Sequence, residues 1–232
     1  LSITARSPSL APSELREASE LAGQLGLNHR VIETLEVERE DYAANDPNRC
    51  FFCKDELYTH LVGFAKDEGY DQIANGTNTD DLGDFRPGLK AASQYGVRSP
   101  LVEAELSKAE IRSLSRDMGL PTWDKPAQAC LSSRIPYGTP VSVEALDRIA
   151  RAEEFLHELG IRQLRVRHHD TIARIEVPSE DFATLMDEDN RARVAEYFRS
   201  IGYSYVTLDL EGFRSGSLNE VLSGLRGRKA AQ

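Results

Sequence analysis

Three cysteines, a close pair and a distant single residue, have the clearest chemical potential in this sequence. Cys50 and Cys53 form a C-x-x-C motif within RCFFCK, and Cys130 lies far downstream within ACLSSR. Such a pair places two sulfurs on one side of a turn, where they can bind a soft metal, and the third can join them only if the fold closes the gap. Three thiolates are one fewer than a closed tetrahedral zinc site requires, but they suit an iron–sulfur cluster with one open iron. Buried cysteines without a shared role, or a redox disulfide, are the alternatives.

Two arginines at alternating positions indicate a second kind of site. Arg165 and Arg167 are two residues apart in a predicted strand, so both side chains point to one face. Two adjacent guanidinium groups repel each other unless an anion lies between them, which suggests a phosphate or carboxylate ligand. Arg134, four residues after Cys130, can reach the same pocket, and Glu153 and Glu176 can orient the arginines or bind ligand hydroxyls. A solvated sheet face is the alternative.

A third polar segment, GTNTDD over residues 76–81, follows a predicted strand. Loops at the carboxyl ends of parallel strands are where ligands bind in sheets covered by helices. We therefore expect the loop that carries Asn78, Asp80 and Asp81 to line a ligand site. An ordinary turn rich in Asn and Asp is the alternative.

Composition limits the partners that this chain can attract. The 232 residues include 28 Lys and Arg against 38 Asp and Glu, a formal net charge of −10, so no general attraction to nucleic acid or an anionic membrane is expected. No apolar run approaches the roughly 20 residues of a membrane helix, and no signal peptide is visible. An odd number of cysteines without a secretion signal predicts a cytoplasmic location. Because residue 1 is Leu and residues 1–5 already have the pattern of a strand, we expect a fragment that lacks its native N-terminus.

Hydrophobic periodicity predicts an α/β protein in two parts. Strands over 1–5, 29–34 and 72–76 alternate with helices over 13–25 and 54–68 and with a helix that Ser107 and Glu110 start as a capping box, which predicts a parallel sheet covered by helices. Later, Ser142 caps a helix, strands are predicted over 163–168, 172–177 and 203–209, and a helix over 189–201. That order is α+β. We therefore predict one domain over 1–125, a junction over 126–140 that carries Cys130, and a smaller α+β domain over 141–232.

Five motifs in order give the chain a resemblance that covers almost its whole length. They are NRCFFCK over residues 48–54, DFRPGLKA over 84–91, SSRIPYG over 132–138, RVR over 165–167 and VTLDLEGFRSGS over 206–217. Together they resemble the LarE family of ATP-dependent sulfur transferases, which build the nickel-pincer nucleotide cofactor of lactate racemase. The resemblance implies an N-terminal ATP-pyrophosphatase (PP-loop) domain followed by a smaller domain for substrate binding and oligomerisation. It also implies an SGGxDS pyrophosphate-binding loop, which is missing here, so we expect this polypeptide to bind ATP poorly.

The resemblance implies a reaction in two steps. The enzyme adenylates a carboxylate of pyridinium-3,5-biscarboxylic acid mononucleotide with release of pyrophosphate, and a sulfur nucleophile then displaces AMP to leave a thiocarboxylate. In single-cysteine relatives the sulfur comes from a cysteine at the position of Ala129, which becomes dehydroalanine. Because Ala129 cannot donate sulfur, and Cys50, Cys53 and Cys130 are all present, the chain resembles the variant that holds a 4Fe-4S cluster. Sacrifice of Cys130 itself is an alternative.

The resemblance also assigns roles, cofactors and partners. Arg134, Arg165 and Arg167 match residues that hold the substrate phosphate, with Glu153 and Glu176 nearby. The loop that carries Asn78, Asp80 and Asp81 would face the nucleotide. ATP, Mg²⁺ and a 4Fe-4S cluster on the three cysteines are the implied cofactors. A mononucleotide substrate, a sulfide donor and a second copy of the chain are the implied partners. Two other classes of protein are alternatives. One is a related tRNA-thiolating enzyme, but the negative net charge and the lack of a basic stripe argue against binding of tRNA. The other is a non-enzymatic zinc-binding module.

Overall fold

A computed structural model describes residues 1–83 and 86–219. Asp84 and Phe85 of the second motif, and residues 220–232 of the predicted C-terminal domain, lie outside the described residues. The helices and strands in chain order are β1 (Ser2–Arg6), α1 (Pro12–Gln24), β2 (His29–Glu33), α2 (Glu40–Ala43), α3 (Arg49–Glu68), α4 (Pro87–Gln94), α5 (Pro100–Glu103), α6 (Lys108–Asp117), α7 (Val143–Glu158), β3 (Arg165–His169), β4 (Ile172–Glu176), α8 (Phe182–Met186), α9 (Glu188–Ser200) and β5 (Tyr205–Leu208).

The alternation of strands and helices confirms the α/β class. β1 and β2 form a two-stranded sheet, and β3, β4 and β5 form a three-stranded sheet in that order. The pairing of β3 with β4 is antiparallel, and that of β4 with β5 is parallel. The more specific ATP-pyrophosphatase fold stays a prediction.

The predicted helix caps are confirmed. At the start of α6 the Ser107 hydroxyl accepts the backbone N–H of Glu110, and the Glu110 carboxylate accepts the backbone N–H of Ser107, which is a complete capping box. At the start of α7 the Ser142 hydroxyl accepts the backbone N–H of Ala145 at 3.1 Å. Both caps satisfy N–H groups that have no acceptor within the helix.

Two predicted boundaries were wrong. The helix expected over 54–68 begins at Arg49, so Cys50 and Cys53 lie within its first two turns. The strand expected over 72–76 is reduced to a single bridge between Ala74 and Arg98. The side chain of the next residue, Asn75, explains the short pairing, because its Oδ1 accepts the backbone N–H of Thr77 at 3.1 Å and so turns the chain.

Contacts divide the chain into two compact units. The first unit contains Leu1–Ile32 and Gln128–Gln232, and the second unit is Glu33–Ala127. Of the C-terminal part of the first unit, residues 128–219 are described. The predicted functional domains over 1–125 and 141–232 stay a prediction.

In the first unit, α7 and α9 pack against the three-stranded sheet. Apolar residues at helical spacing, such as Leu156 on α7 and Phe198 on α9, meet the alternate apolar residues Val166 and Ile175 of the strands. All four are almost completely buried. This core sets the position of β3, whose polar side chains form the candidate site.

In the second unit, α3 packs along α4. Tyr58 on α3 and Ala91 and Ala92 on α4 form the centre of a small core. A Cβ atom at Gly88 would lie 3.3 Å from the carbonyl oxygen of Cys50, so glycine permits the close approach of α4 to the turn that carries the cysteine pair.

No helix in the described ranges is both long enough and apolar enough to cross a membrane.

Candidate functional site

The register of β3 and β4 places four charged side chains together in the first unit. Arg165 lies opposite Glu176, and Arg167 lies opposite Arg174. The two arginines of β3 are only 7 % and 6 % exposed, and Glu176 is 0 % exposed. The alternative of a solvated sheet face is therefore wrong, because a face of that kind would leave the guanidinium groups in water.

Arg167 and Glu176 form a buried bidentate ion pair. Arg167 donates from Nε to Oε1 of Glu176 at 3.0 Å and from Nη2 to Oε2 at 2.8 Å. The parallel arrangement of two N–H donors and two carboxylate oxygens fixes the plane of the guanidinium group. Glu176 therefore orients Arg167, which is one of the two roles predicted for it from the sequence; the other was to bind ligand hydroxyls.

Arg134 and Glu153 form a second buried bidentate pair. Arg134 donates from Nε to Oε1 of Glu153 at 2.9 Å and from Nη2 to Oε2 at 2.8 Å. Glu153 Oε1 also accepts the backbone N–H of Val166 at 2.8 Å. Because Val166 stands between the two arginines of β3, this bond joins α7, β3 and the turn of Arg134 into one network.

Cys130 borders this network. It precedes a short 3₁₀ turn, Leu131–Arg134, and its carbonyl oxygen accepts Nη1 of Arg134 at 3.0 Å. Ser133 joins the two ion pairs, since its hydroxyl accepts Nη1 of Arg134 at 3.0 Å and its carbonyl accepts Nη1 of Arg167 at 2.8 Å. The backbone that carries the Cys130 thiol is thus tied directly to the arginines.

The network brings three arginines together in a buried environment. Among the described residues, Arg134, Arg165 and Arg167 lie with the two buried carboxylates Glu153 and Glu176. Burial, together with the charges of Arg134 and Arg167, lowers the pKa of Arg165 to about 10, although Glu153 and Glu176 partly offset this. A bound anion beside Arg165 would favour its charged form.

The turn after β5 closes over the same arginines. The Phe213 ring centroid lies 5.2 Å from Cζ of Arg165, within the range of a cation–π contact. The Ser217 hydroxyl accepts Nη2 of Arg167 at 2.7 Å and donates to Oε2 of Glu176 at 3.3 Å. The last of the five sequence motifs therefore packs directly on the arginine site.

Replacing Gly212 by Ala is expected to lower the free energy of unfolding by roughly 1–3 kcal/mol. Gly212 has φ +72°, and a Cβ atom there would lie 2.9 Å from the carbonyl oxygen of Val177, which is backbone and cannot move away cheaply. Urea unfolding followed by circular dichroism measures the change. Gly216→Ala is the matched control, because Gly216 also has a positive φ of +81°, but among residues 1–83 and 86–219 no atom lies within 4 Å of the added carbon. Equal losses for both variants would contradict the steric explanation.

The cysteine pair lies in the second unit, at the start of α3. Cys50 and Cys53 are three residues apart in a helix, so their side chains lie on the same face of the helix. Cys50 is exposed and Cys53 is half-buried. The neighbouring Phe51 and Phe52 rings meet edge to face, with centroids 5.5 Å apart.

The donor set suits a soft metal. None of the three cysteines forms a disulfide, and Cys130 is half-buried like Cys53, so the thiols can serve as ligands. Within either unit, the described residues include no group of three or more His, Cys, Asp or Glu placed to hold a metal ion. The convergence of Cys130 with the pair stays a prediction, because it joins residues of both units.

The GTNTDD segment is ordered by its own polar side chains. Asn78 Oδ1 accepts the backbone N–H of Asp80 at 3.1 Å, and Asp81 Oδ2 accepts that of Asn78 at 3.2 Å. Asp80 Oδ2 accepts the backbone N–H of Lys108 at the start of α6, and Asp81 forms an ion pair of 2.8 Å with Arg86. The Asx-type turn is thus present, and a nucleotide-facing role for the three residues stays a prediction.

Sequence reasoning missed several residues of this network. Gln128, Ser133, Phe213 and Ser217 contact Arg134, Arg165 or Arg167, whereas Arg174 contacts Glu176 and Asp209 contacts Arg174. Arg174 could have been predicted from the sequence, because it is two residues from Glu176 on the same strand and therefore lies on the same face of the sheet. Ser133, Phe213 and Ser217 belong to two of the sequence motifs, but the sequence predicted no role for them individually. Their contacts depend on packing between distant segments.

Comparison with known proteins gives three relatives that cover most of the chain, while no protein-family model matches it. An uncharacterised protein of Synechocystis is 48% identical over 223 residues, 96% of this chain and 83% of the relative. The pyridinium-3,5-bisthiocarboxylic acid mononucleotide synthase of Lactiplantibacillus plantarum is 38% identical over 225 residues, 95% of this chain and 79% of that protein. An uncharacterised protein of Methanocaldococcus jannaschii is 28% identical over 215 residues, 93% of this chain and 81% of the relative.

The similarity to the Lactiplantibacillus plantarum synthase extends over nearly the whole chain. It is of the extent and identity at which proteins share a fold and a family. The chain belongs to the LarE family, the family of the pyridinium-3,5-bisthiocarboxylic acid mononucleotide synthase.

Proposed function

We propose that this protein is an ATP-dependent sulfur transferase that acts on pyridinium-3,5-biscarboxylic acid mononucleotide. The observation that supports this most directly is the bond between the Cys130 carbonyl and Arg134, which places a thiol-bearing segment beside a buried cluster of arginines. A sulfur donor and a phosphate-binding site are the two parts that such a reaction needs next to each other. The Lactiplantibacillus plantarum relative is named as the synthase of pyridinium-3,5-bisthiocarboxylic acid mononucleotide, which is a thiocarboxylate of this kind.

The arginine cluster would bind the 5′-phosphate of the mononucleotide. Three buried arginines close together favour an anionic ligand over a neutral one. Arg165 is the residue at which burial and two neighbouring cations act together, so an anion beside it would gain the most. Glu153 and Glu176 hold Arg134 and Arg167 in place, which reduces the ordering that a ligand must impose.

The reaction would proceed in two balanced steps. A carboxylate oxygen of the substrate attacks the α-phosphorus of ATP, supplied with Mg²⁺, and pyrophosphate leaves. A sulfur nucleophile then attacks the acyl carbon and AMP leaves, so that one carboxylate oxygen is replaced by sulfur. Asn78, Asp80 and Asp81 are the residues proposed to face the nucleotide.

The three cysteines would hold the sulfur source. Cys50, Cys53 and Cys130 are proposed as ligands of a 4Fe-4S cluster, which would supply a sulfide at an iron that no protein residue binds. Ala129, beside Cys130, has no sulfur to donate. The protein's own part is to keep all three thiols available, to hold Cys130 next to the arginine cluster and to bind the substrate phosphate.

The proposed function is tested by incubating the full-length gene product anaerobically with ATP, Mg²⁺, sulfide and the dicarboxylate mononucleotide. We expect pyrophosphate release that depends on the mononucleotide, and mass spectrometry should show replacement of an oxygen by sulfur in it. Bulk tRNA is the comparison substrate. Pyrophosphate release that requires tRNA, or none with either substrate, would contradict the proposal.

Replacing Arg165 by Ala is expected to weaken binding of the mononucleotide by about 1.5–3 kcal/mol, the usual contribution of a hydrogen bond to a charged group. Binding of the dephosphorylated nucleoside should change little, because the lost contact is with the phosphate. Isothermal titration calorimetry with both compounds measures the difference. Arg151→Ala is the control, since Arg151 lies in the same unit but is 48% exposed and pairs only loosely, at 3.8 Å, with Asp147. Equal weakening for both compounds would assign Arg165 a purely structural role.

A further inference from the structure

A chain of charged residues extends from the arginine site to the turn after β5. Glu176 accepts hydrogen bonds from two arginines, with Arg167 on one side and Nη2 of Arg174 at 3.1 Å on the other. Arg174 also forms an ion pair of 3.1 Å from Nη1 to Oδ2 of Asp209. Its guanidinium group therefore bridges a completely buried carboxylate and one that is 9% exposed.

Asp209 is held firmly by the backbone around it. Its N–H donates to the carbonyl of Ile175 at 2.9 Å, and its Oδ1 accepts the backbone N–H of Glu211 at 2.9 Å. These bonds fix the carboxylate relative to β4 and to the turn that follows. Arg174, which is 39% exposed, is thus anchored at the end of its side chain by a group that cannot easily shift.

The position of Arg174 is unfavourable for the sheet alone. It lies directly opposite Arg167 in the antiparallel pair, and like charges at such positions repel each other. Its Nε is also buried and, within the described ranges, makes no hydrogen bond. An uncharged residue would avoid both costs, so the arginine is better explained by what it does for Glu176.

We propose that Arg174 and Asp209 are positioning residues for the phosphate site. Asp209 fixes Arg174, Arg174 fixes one oxygen of Glu176, and Glu176 fixes the plane of Arg167, which would then present its guanidinium group to a phosphate monoester. The inference rests on the proposed function, because it assigns these residues to the same anion site. It extends the site to two residues that have no direct contact with Arg165 or the cysteines in the bonds described.

The test compares Arg174→Ala in two backgrounds, the otherwise unchanged chain and Arg167→Ala. Calorimetric titration with the mononucleotide is expected to show about 3- to 10-fold weaker binding in the first background. No further loss is expected in the second, because the residue through which Arg174 acts has been removed. The dephosphorylated nucleoside should bind equally well to all four proteins, and Arg151→Ala should bind the mononucleotide like the unchanged chain.

Several results would overturn the inference. Equal loss in both backgrounds would show that Arg174 does not act through Arg167, equal loss for both ligands would indicate a structural role, and no loss would remove any role. Asp209→Asn, which keeps the size of the side chain, must likewise weaken binding of the mononucleotide only when Arg167 is present. If Arg174→Ala does not fold, this second variant tests the inference. Failure of the unchanged chain to prefer the mononucleotide over the nucleoside would instead contradict the proposed function.

Discussion

Replacing any one of Cys50, Cys53 and Cys130 by Ala is expected to abolish sulfur insertion. A cluster that loses one of three protein ligands keeps only two and becomes labile, so each single substitution should remove the sulfur source as completely as the others. Iron and sulfide content after anaerobic purification gives a measure that does not depend on activity. We expect all three variants to lose iron together.

The control for this experiment is Val62→Ala, a substitution of similar size on the same helix as the cysteine pair, at a side chain that is 42% exposed. It should keep iron and activity. Zinc in place of iron in the unchanged protein would favour the zinc-binding module instead. Full activity of a Cys50→Ala or Cys53→Ala variant would contradict a three-cysteine cluster.

The alternative in which Cys130 itself is consumed predicts a different mass. A sacrificial donor loses hydrogen sulfide at each turnover, becomes dehydroalanine and stops after one cycle. A protein that passes on supplied sulfide keeps its mass and continues. Intact-protein mass spectrometry after reaction with ATP and the mononucleotide separates the two, and we expect the mass to be unchanged because the sacrificial position is Ala129.

Replacing Glu153 by Gln is expected to lower the free energy of unfolding by about 3–5 kcal/mol, the range for breaking a buried ion pair on one side. Arg134 is 2% exposed and would keep its charge without the carboxylate that compensates it. The substitution also weakens the acceptor for the backbone N–H of Val166. Urea unfolding followed by tryptophan fluorescence and circular dichroism measures the change.

The adjacent residue on the same helix provides the matched control. Glu154 also pairs with an arginine, Arg16, at 2.6 Å, but both side chains are largely exposed, 45% and 58% respectively. Exposed pairs typically contribute less than about 1 kcal/mol, so Glu154→Gln should change stability little. Similar losses for the two variants would show that burial does not decide the contribution of Glu153.

The site could be predicted in part because some of its features are local. Arg165 and Arg167 were placed on one face by the period of a strand, and the structure confirms a strand at Arg165–His169. The spacing of Cys50 and Cys53 put both thiols on one side of the chain in the same way. The position of the helix start was less predictable, because residues 49–53 lack the apolar spacing of the later turns, and α3 gains its first turn by packing against α4 near Gly88.

Sequence alone determined the α/β class, the helix caps at Ser107 and Ser142, and the types of residue available for chemistry. These depend on interactions between residues a few positions apart, which the order of amino acids specifies directly. Only the tertiary structure decided which carboxylate pairs with which arginine: Glu153 with Arg134, and Glu176 with both Arg167 and Arg174. Such pairs form where distant segments exclude water together, and burial is what turns a weak surface attraction into a strong constraint on position. A strand pattern can show that two arginines share a face, but not what that face meets.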